Sequence, residues 1–92
     1  MDTSTEIIAE LKKRSYQATL EGTVIILEIN SDVGECRTYT IEHGRTSGKW
    51  QVNLSEVIFD EDGENNEEQT IIGNYTSAAD IADAIDKHEE EQ

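Results

Sequence analysis

Four consecutive stretches of this chain carry the patterning of extended strands, and short turn-forming segments separate them. Tyr16, Ala18 and Leu20 fall on one side and Gln17, Thr19 and Glu21 on the other, the period of two that a strand requires. Glu21 and Gly22 then read as a tight hairpin turn. Residues 23–30 are apolar on both faces except at Glu28, which suits a central strand. Residues 30–34 are rich in turn formers. The next strand, residues 36–43, sets Arg37, Tyr39, Ile41 and His43 against Cys36, Thr38, Thr40 and Glu42. After a loop over 44–48, Trp50, Val52 and Leu54 open a fourth strand. Its alternation slips at Ser55 and Glu56 before Val57 and Phe59 resume the apolar role, so a bulge is expected there. A short fifth strand is expected over 69–72.

The ends of the chain carry the helical period. Thr3 followed by Glu6 forms a capping box, and Ile7, Ile8 and Leu11 fall on one side of the helix that follows, expected over about 4–14. Lys12, Lys13 and Arg14 stand where cations complement the helix C-terminus. Thr76 or Ser77 caps a second helix with an apolar face of Ala78, Ile81, Ala82 and Ile85. Its opposite face is Asp80, Asp83 and Asp86. The result is one α+β domain over 1–88: a helix, a four-stranded antiparallel sheet with a short fifth strand, and a C-terminal helix. Both helices pack on one sheet face, leaving the other to solvent or a partner. Glu89, Glu90, Glu91 and Gln92 put negative charge at a helix C-terminus, where the dipole opposes it, so 89–92 is expected to fray.

A chain of 92 residues has room for one modest core and little space for an enclosed active site. Its formal net charge is −14, and that charge is unevenly distributed. Residues 1–54 contribute −2, whereas residues 55–92 hold thirteen acids with Lys87 as their one base and contribute −12. The longest apolar run, residues 24–27, falls far short of the roughly 20 needed to cross a bilayer. The N-terminus lacks the basic and apolar regions of a secretory signal, and Cys36 is the only cysteine, so a cytoplasmic setting is expected.

Several segments invite a chemical reading. Residues 44–49, with glycines at 44 and 48 and Lys49, approach a phosphate-binding loop, but the spacing is one residue short and Trp50 follows the lysine. Cys36 and His43 lie seven apart in one strand and point to opposite faces, and His88 falls in the last turn of the second helix, so an inert thiol and two ordinary histidines are expected. Asp60, Asp62 and Glu64 alternate as calcium ligands do, yet Gly63 is out of register for an EF-hand loop. The expectation is a protein without catalysis, cofactor or metal. Direct binding to nucleic acid is disfavoured too, because the acidic half would repel a phosphate backbone.

The remaining feature is the acidic half as a surface for a basic protein partner. Asp60, Glu61, Asp62, Glu64, Glu67, Glu68, Asp80, Asp83 and Asp86 are the candidate contact residues. Acidity of this strength also occurs as adaptation to a salty cytoplasm, in which case the chain is a small regulatory or structural domain of a halophilic organism or its virus.

Residues 8–23 bear on that choice. The short helix ending in Lys12, Lys13 and Arg14, then Tyr16, Leu20, Gly22 and Thr23 leading into antiparallel strands, resembles the opening of small acidic phage anti-CRISPR proteins that inhibit Cas9. The resemblance implies an inhibitor that mimics nucleic acid and occupies the basic groove of a nucleic-acid-binding protein. It extends over less than a fifth of the chain and carries no site residue with it.

Overall fold

A computed structural model describes residues 3–30, 35–44, 48–59 and 65–90. Within them the order is α1 (Ser4–Lys13), β1 (Ala18–Glu21), β2 (Val24–Asn30), β3 (Glu35–His43), β4 (Trp50–Phe59), β5 (Asn65–Tyr75) and α2 (Ala78–Glu90). The strands form one antiparallel sheet in the order of the chain, β1-β2-β3-β4-β5. The fold is the expected α+β arrangement, and each neighbouring pair is joined by a short return.

The register follows from the alternation. Ala18, Leu27, Tyr39 and Leu54 form one row across β1 to β4, and Ile25, Ile41 and Val52 lie in the next. Opposed residues in an antiparallel pair share a face, and these seven are buried. The helices cover this face with Ile7 and Leu11 from α1 and with Ala78, Ile81, Ala82 and Ile85 from α2. Thirteen residues make a helix too short to persist alone in water, so α2 depends on that packing. Full burial of Ile81 and Ile85 supplies about 1.5–3 kcal/mol each.

Two features of β5 differ from the sequence reading. The strand extends well beyond 69–72 in both directions, because Glu67 and Glu68 pair across from Val57 and Glu56 despite their charge. The irregularity lies in β5 rather than at Ser55 and Glu56: Val52 pairs with Gly73 and Asn53 with Ile71, leaving Ile72 as the extra residue. The slip in β4 has another cause, since Glu56 takes a position on the helix-covered face opposite Arg37. Close to the bulge, a Cβ on Gly73 would come within 2.7 Å of the Tyr75 hydroxyl, so glycine leaves the space the Tyr75 side chain occupies.

The N-cap of α1 is Thr3, whose hydroxyl accepts from the Glu6 amide at 3.3 Å while the Glu6 carboxylate accepts from that hydroxyl. Ser77 caps α2 by accepting from the Asp80 amide at 3.1 Å. The other end of α1 closes in a Schellman motif: Ser15 N–H donates to Lys12 O and Tyr16 N–H to Leu11 O, each at 3.0 Å. Ser15 has φ +69° there, the left-handed conformation that glycine adopts without steric cost. The turn delivers Arg14 and Tyr16 to α2. Ser15→Gly is therefore expected to raise stability by about 0.5–1 kcal/mol in chemical denaturation with no change in denaturant slope. A loss of stability would show that the serine hydroxyl contributes more than the conformation costs.

Candidate functional site

The acids expected to form a single surface fall into three groups. Asp60, Glu61, Asp62 and Glu64 lie outside the described residues. Glu67 and Glu68 are neighbours on β5 and point to opposite faces, Glu67 with Val57 on the open face and Glu68 with Glu56 on the other. Asp80, Asp83 and Asp86 share one side of α2, but only Asp80 projects without a cationic partner among the interactions described, at the N-terminal turn where the dipole favours it.

Asp83 and Asp86 are engaged inside the molecule. Arg14 Nη1 donates to Asp83 Oδ1 at 2.7 Å and also to Asp86 Oδ2, while its Nη2 and Nε approach Glu10 Oε1 at 3.3 and 3.4 Å. The Tyr16 hydroxyl donates to Asp86 Oδ1 at 2.6 Å. Burial raises the Tyr16 phenol well above its ordinary value, reinforced by its bond to Asp86. Burial alone would raise the Asp86 carboxyl, yet the bonds from Tyr16 and Arg14 outweigh it and hold the carboxyl below its ordinary range. The α2 face is thus a clamp onto the end of α1.

A second clamp lies one turn further along, and in it residues 89 and 90 of the segment expected to fray are helical. α2 runs through Glu90, and Glu89 is gripped by Arg37 in a two-bond fork, Nε to Oε2 at 2.9 Å and Nη2 to Oε1 at 2.7 Å. The Tyr39 hydroxyl also donates to Glu89 Oε2 at 2.6 Å. These contacts, with Lys87 and His88 in the last turn, offset the unfavourable dipole. His88 lies 3.7 Å from Glu56 and edge-on to the Tyr39 ring. Glu91 and Gln92 lie outside the described residues. Sequence reasoning missed this site, although Arg37 alternating with Tyr39 and Ile41 was its signal: a cation on the core side of a strand needs a carboxylate.

The open face of the sheet presents the reverse situation. It carries Glu21, Glu28, Glu42 and Glu67, and among the described strand residues it carries no lysine or arginine. The cations Arg14 and Arg37 are turned to the helical side, and Lys49 stands in the β3–β4 connection. Between these carboxylates lie Thr38, Thr40, Gln51, Asn53 and Ser55 with Ile26 and Val57. A shallow concavity of about 540 Å³ is lined by Thr40, Glu42, Asn53, Ser55, Gln69 and Ile71, among others. Glu28 and Glu42 are legible in the sequence as acids opposite the core residues, although most of the net charge lies after Leu54.

Other chemistry finds little support in the geometry. Cys36 lies on the open face beside Val57, and His43 lies on the helical side, its ring 5.1 Å from that of Trp50. Among the described residues no group of three or more His, Cys, Asp or Glu side chains is placed to hold a metal ion. No described helix is long and apolar enough to cross a membrane. The chain matches no protein-family model, no curated protein and no solved structure.

The Arg37–Glu89 clamp makes a pH-dependent contribution to stability. Burial pushes the Glu89 carboxyl up, but the Arg37 and Tyr39 bonds and the Arg37 charge bring it below its ordinary value. A carboxyl depressed in the folded state stabilises fully above the ordinary carboxylate range and loses that contribution as pH falls through its folded value. Arg37→Leu, which leaves Glu89 charged and mostly enclosed, is expected to cost about 2 kcal/mol at pH 7, below the roughly 3–5 kcal/mol of fully buried pairs. The deficit should shrink as pH falls below the ordinary carboxylate range and through the depressed folded value of Glu89, where protonation removes the charge that Arg37 compensates. A deficit that does not change with pH in urea titrations would assign the cost to lost packing.

Proposed function

We propose that this chain is a non-enzymatic binding module that engages a basic protein through its acidic surface. The observation that carries the reading is the segregation of charge. The arginines Arg14 and Arg37 are committed to α2 carboxylates, while the open sheet face shows carboxylates among hydroxyl and amide side chains. Unneutralised carboxylates repel one another and gain most from a surface of opposite sign, which steers association and sets its register. The contact set is Glu28, Glu42 and Glu67 with Glu68 and the acids at 60–64. Asp83 and Asp86 serve in folding. Under this reading the module acts as an inhibitor that occupies a groove built for nucleic acid, the form implied by the likeness of residues 8–23 to anti-CRISPR proteins.

The decisive assay is displacement of a dye-labelled target duplex from a Cas9–guide RNA complex, followed by fluorescence anisotropy. The chain should lower the anisotropy at low salt and lose potency at least tenfold as ionic strength rises from 50 to about 500 mM, because exposed charge pairs are screened. Glu28→Lys, Glu42→Lys and Glu67→Lys combined should abolish displacement while the circular dichroism spectrum stays unchanged. A chain that is unfolded in dilute buffer, folds only in concentrated potassium chloride and displaces no duplex would overturn the reading in favour of salt adaptation.

A further inference from the structure

Residues 67–71 stand apart from the other described strand segments. Glu67, Glu68, Gln69, Thr70 and Ile71 are all exposed, the longest such run among the described strand residues. A strand beneath a helical layer buries every second residue, so five exposed residues in succession mean that both faces of this stretch are open. Ile71 is 64% exposed, more than the other large apolar side chain on the described surface, Leu20. The part of β5 that packs on the core is Ile72 and Tyr75, on the far side of the bulge.

The outer edge of the same stretch is open as well. β5 ends the sheet and pairs, among the described residues, with β4 alone. Every second residue of an edge strand turns its N–H and C=O away from its partner, and such a row accepts another strand. The bulge at Ile72 and the α2 contacts beyond it leave 67–71 as the accessible part of the edge. Side-chain chemistry selects what pairs there. A second copy of this chain would bring another Glu67 and Glu68 and a further net charge of −14 against the first, which like-charge repulsion opposes. A segment bearing lysine or arginine meets those carboxylates with opposite sign, and an apolar residue in it would cover Ile71.

We propose that residues 67–71 receive an extended basic peptide segment of the partner as a sixth strand. This deepens the function proposed above and rests on it: the acidic surface attracts the partner, and the strand edge supplies backbone pairing that charge alone does not. Charge sets the rate and breadth of association, whereas pairing demands an extended backbone with its amides free.

The probe is a dye-labelled octapeptide of alternating lysine and valine, titrated with the full chain and followed by fluorescence anisotropy in dilute buffer. A second peptide has the same sequence and charge but carries N-methyl groups on alternate amides along one edge, and a third carries them along the other. One methylated peptide should bind at least tenfold more weakly than the parent, and amide exchange at 67–71 should slow on binding of the parent. Glu67→Lys with Glu68→Lys should weaken the parent at least tenfold while the circular dichroism spectrum stays unchanged. Equal binding of all three peptides would overturn strand addition and leave the acidic surface reading standing. No binding of the parent, or self-association of the chain in place of peptide binding, would overturn it too.

Discussion

The arginine–carboxylate contacts at α2 determine how a chain with this much negative charge closes around a small core. The apolar side chains of Ile81 and Ile85 bring α2 onto the sheet, but thirteen acids lie in the chain segment that contains it, with Lys87 as the one base. Left to themselves, those carboxylates would push the helix away from the other acidic elements. Arg14 and Arg37 come from distant parts of the chain and meet three of them, Asp83, Asp86 and Glu89. Tyr16 and Tyr39 donate to two of the same carboxylates, and burial with hydrogen bonding raises both phenols well above their ordinary values. A phenol that remains protonated remains a donor, so each clamp holds across the physiological range.

The clamps also create an asymmetry of charge between the two faces of the sheet. A cation turned towards α2 is unavailable to the open face, where Glu21, Glu28, Glu42 and Glu67 stand among described strand residues that include no lysine or arginine. Acidity thus has two physical roles separated by the sheet. On the helical side Asp83, Asp86 and Glu89 are matched by arginine and structural. On the open side, and along the exposed part of β5, no lysine or arginine stands among the described strand residues to match the acidity. Removing a carboxylate from the first set exposes a cation inside the fold, whereas removing one from the second relieves repulsion.

Much of the fold was legible because the hydrophobic pattern is local and strict. The parity of Tyr39 and Ile41, of Trp50, Val52 and Leu54, and of Ile81 and Ile85 identifies each buried face, and the meander needs only short turns between neighbours. The full length of β5 was hidden for a physical reason: Asn65, Asn66, Glu67 and Glu68 have poor strand propensity, and the hydrogen bonds of β4 hold them extended. The bulge was displaced for a related one. Glu56 interrupts the apolar pattern without interrupting the ladder, whereas Ile72 keeps the apolar pattern and breaks the ladder.

The candidate site was less legible, because net charge along a chain says nothing about which charges are already paired in space. Asp80, Asp83 and Asp86 recur every three residues and look like one acidic stripe. Their fates diverge because Arg14 arrives from a Schellman turn whose left-handed residue is a serine, a feature that helix propensity does not foresee. Glu89 looked like part of a tail because its partner Arg37 lies 52 residues earlier. In each case the decisive information was the cation's position rather than the acid's. With seven lysines and arginines against twenty-one acids, placing the few bases determines which carboxylates are neutralised within the fold.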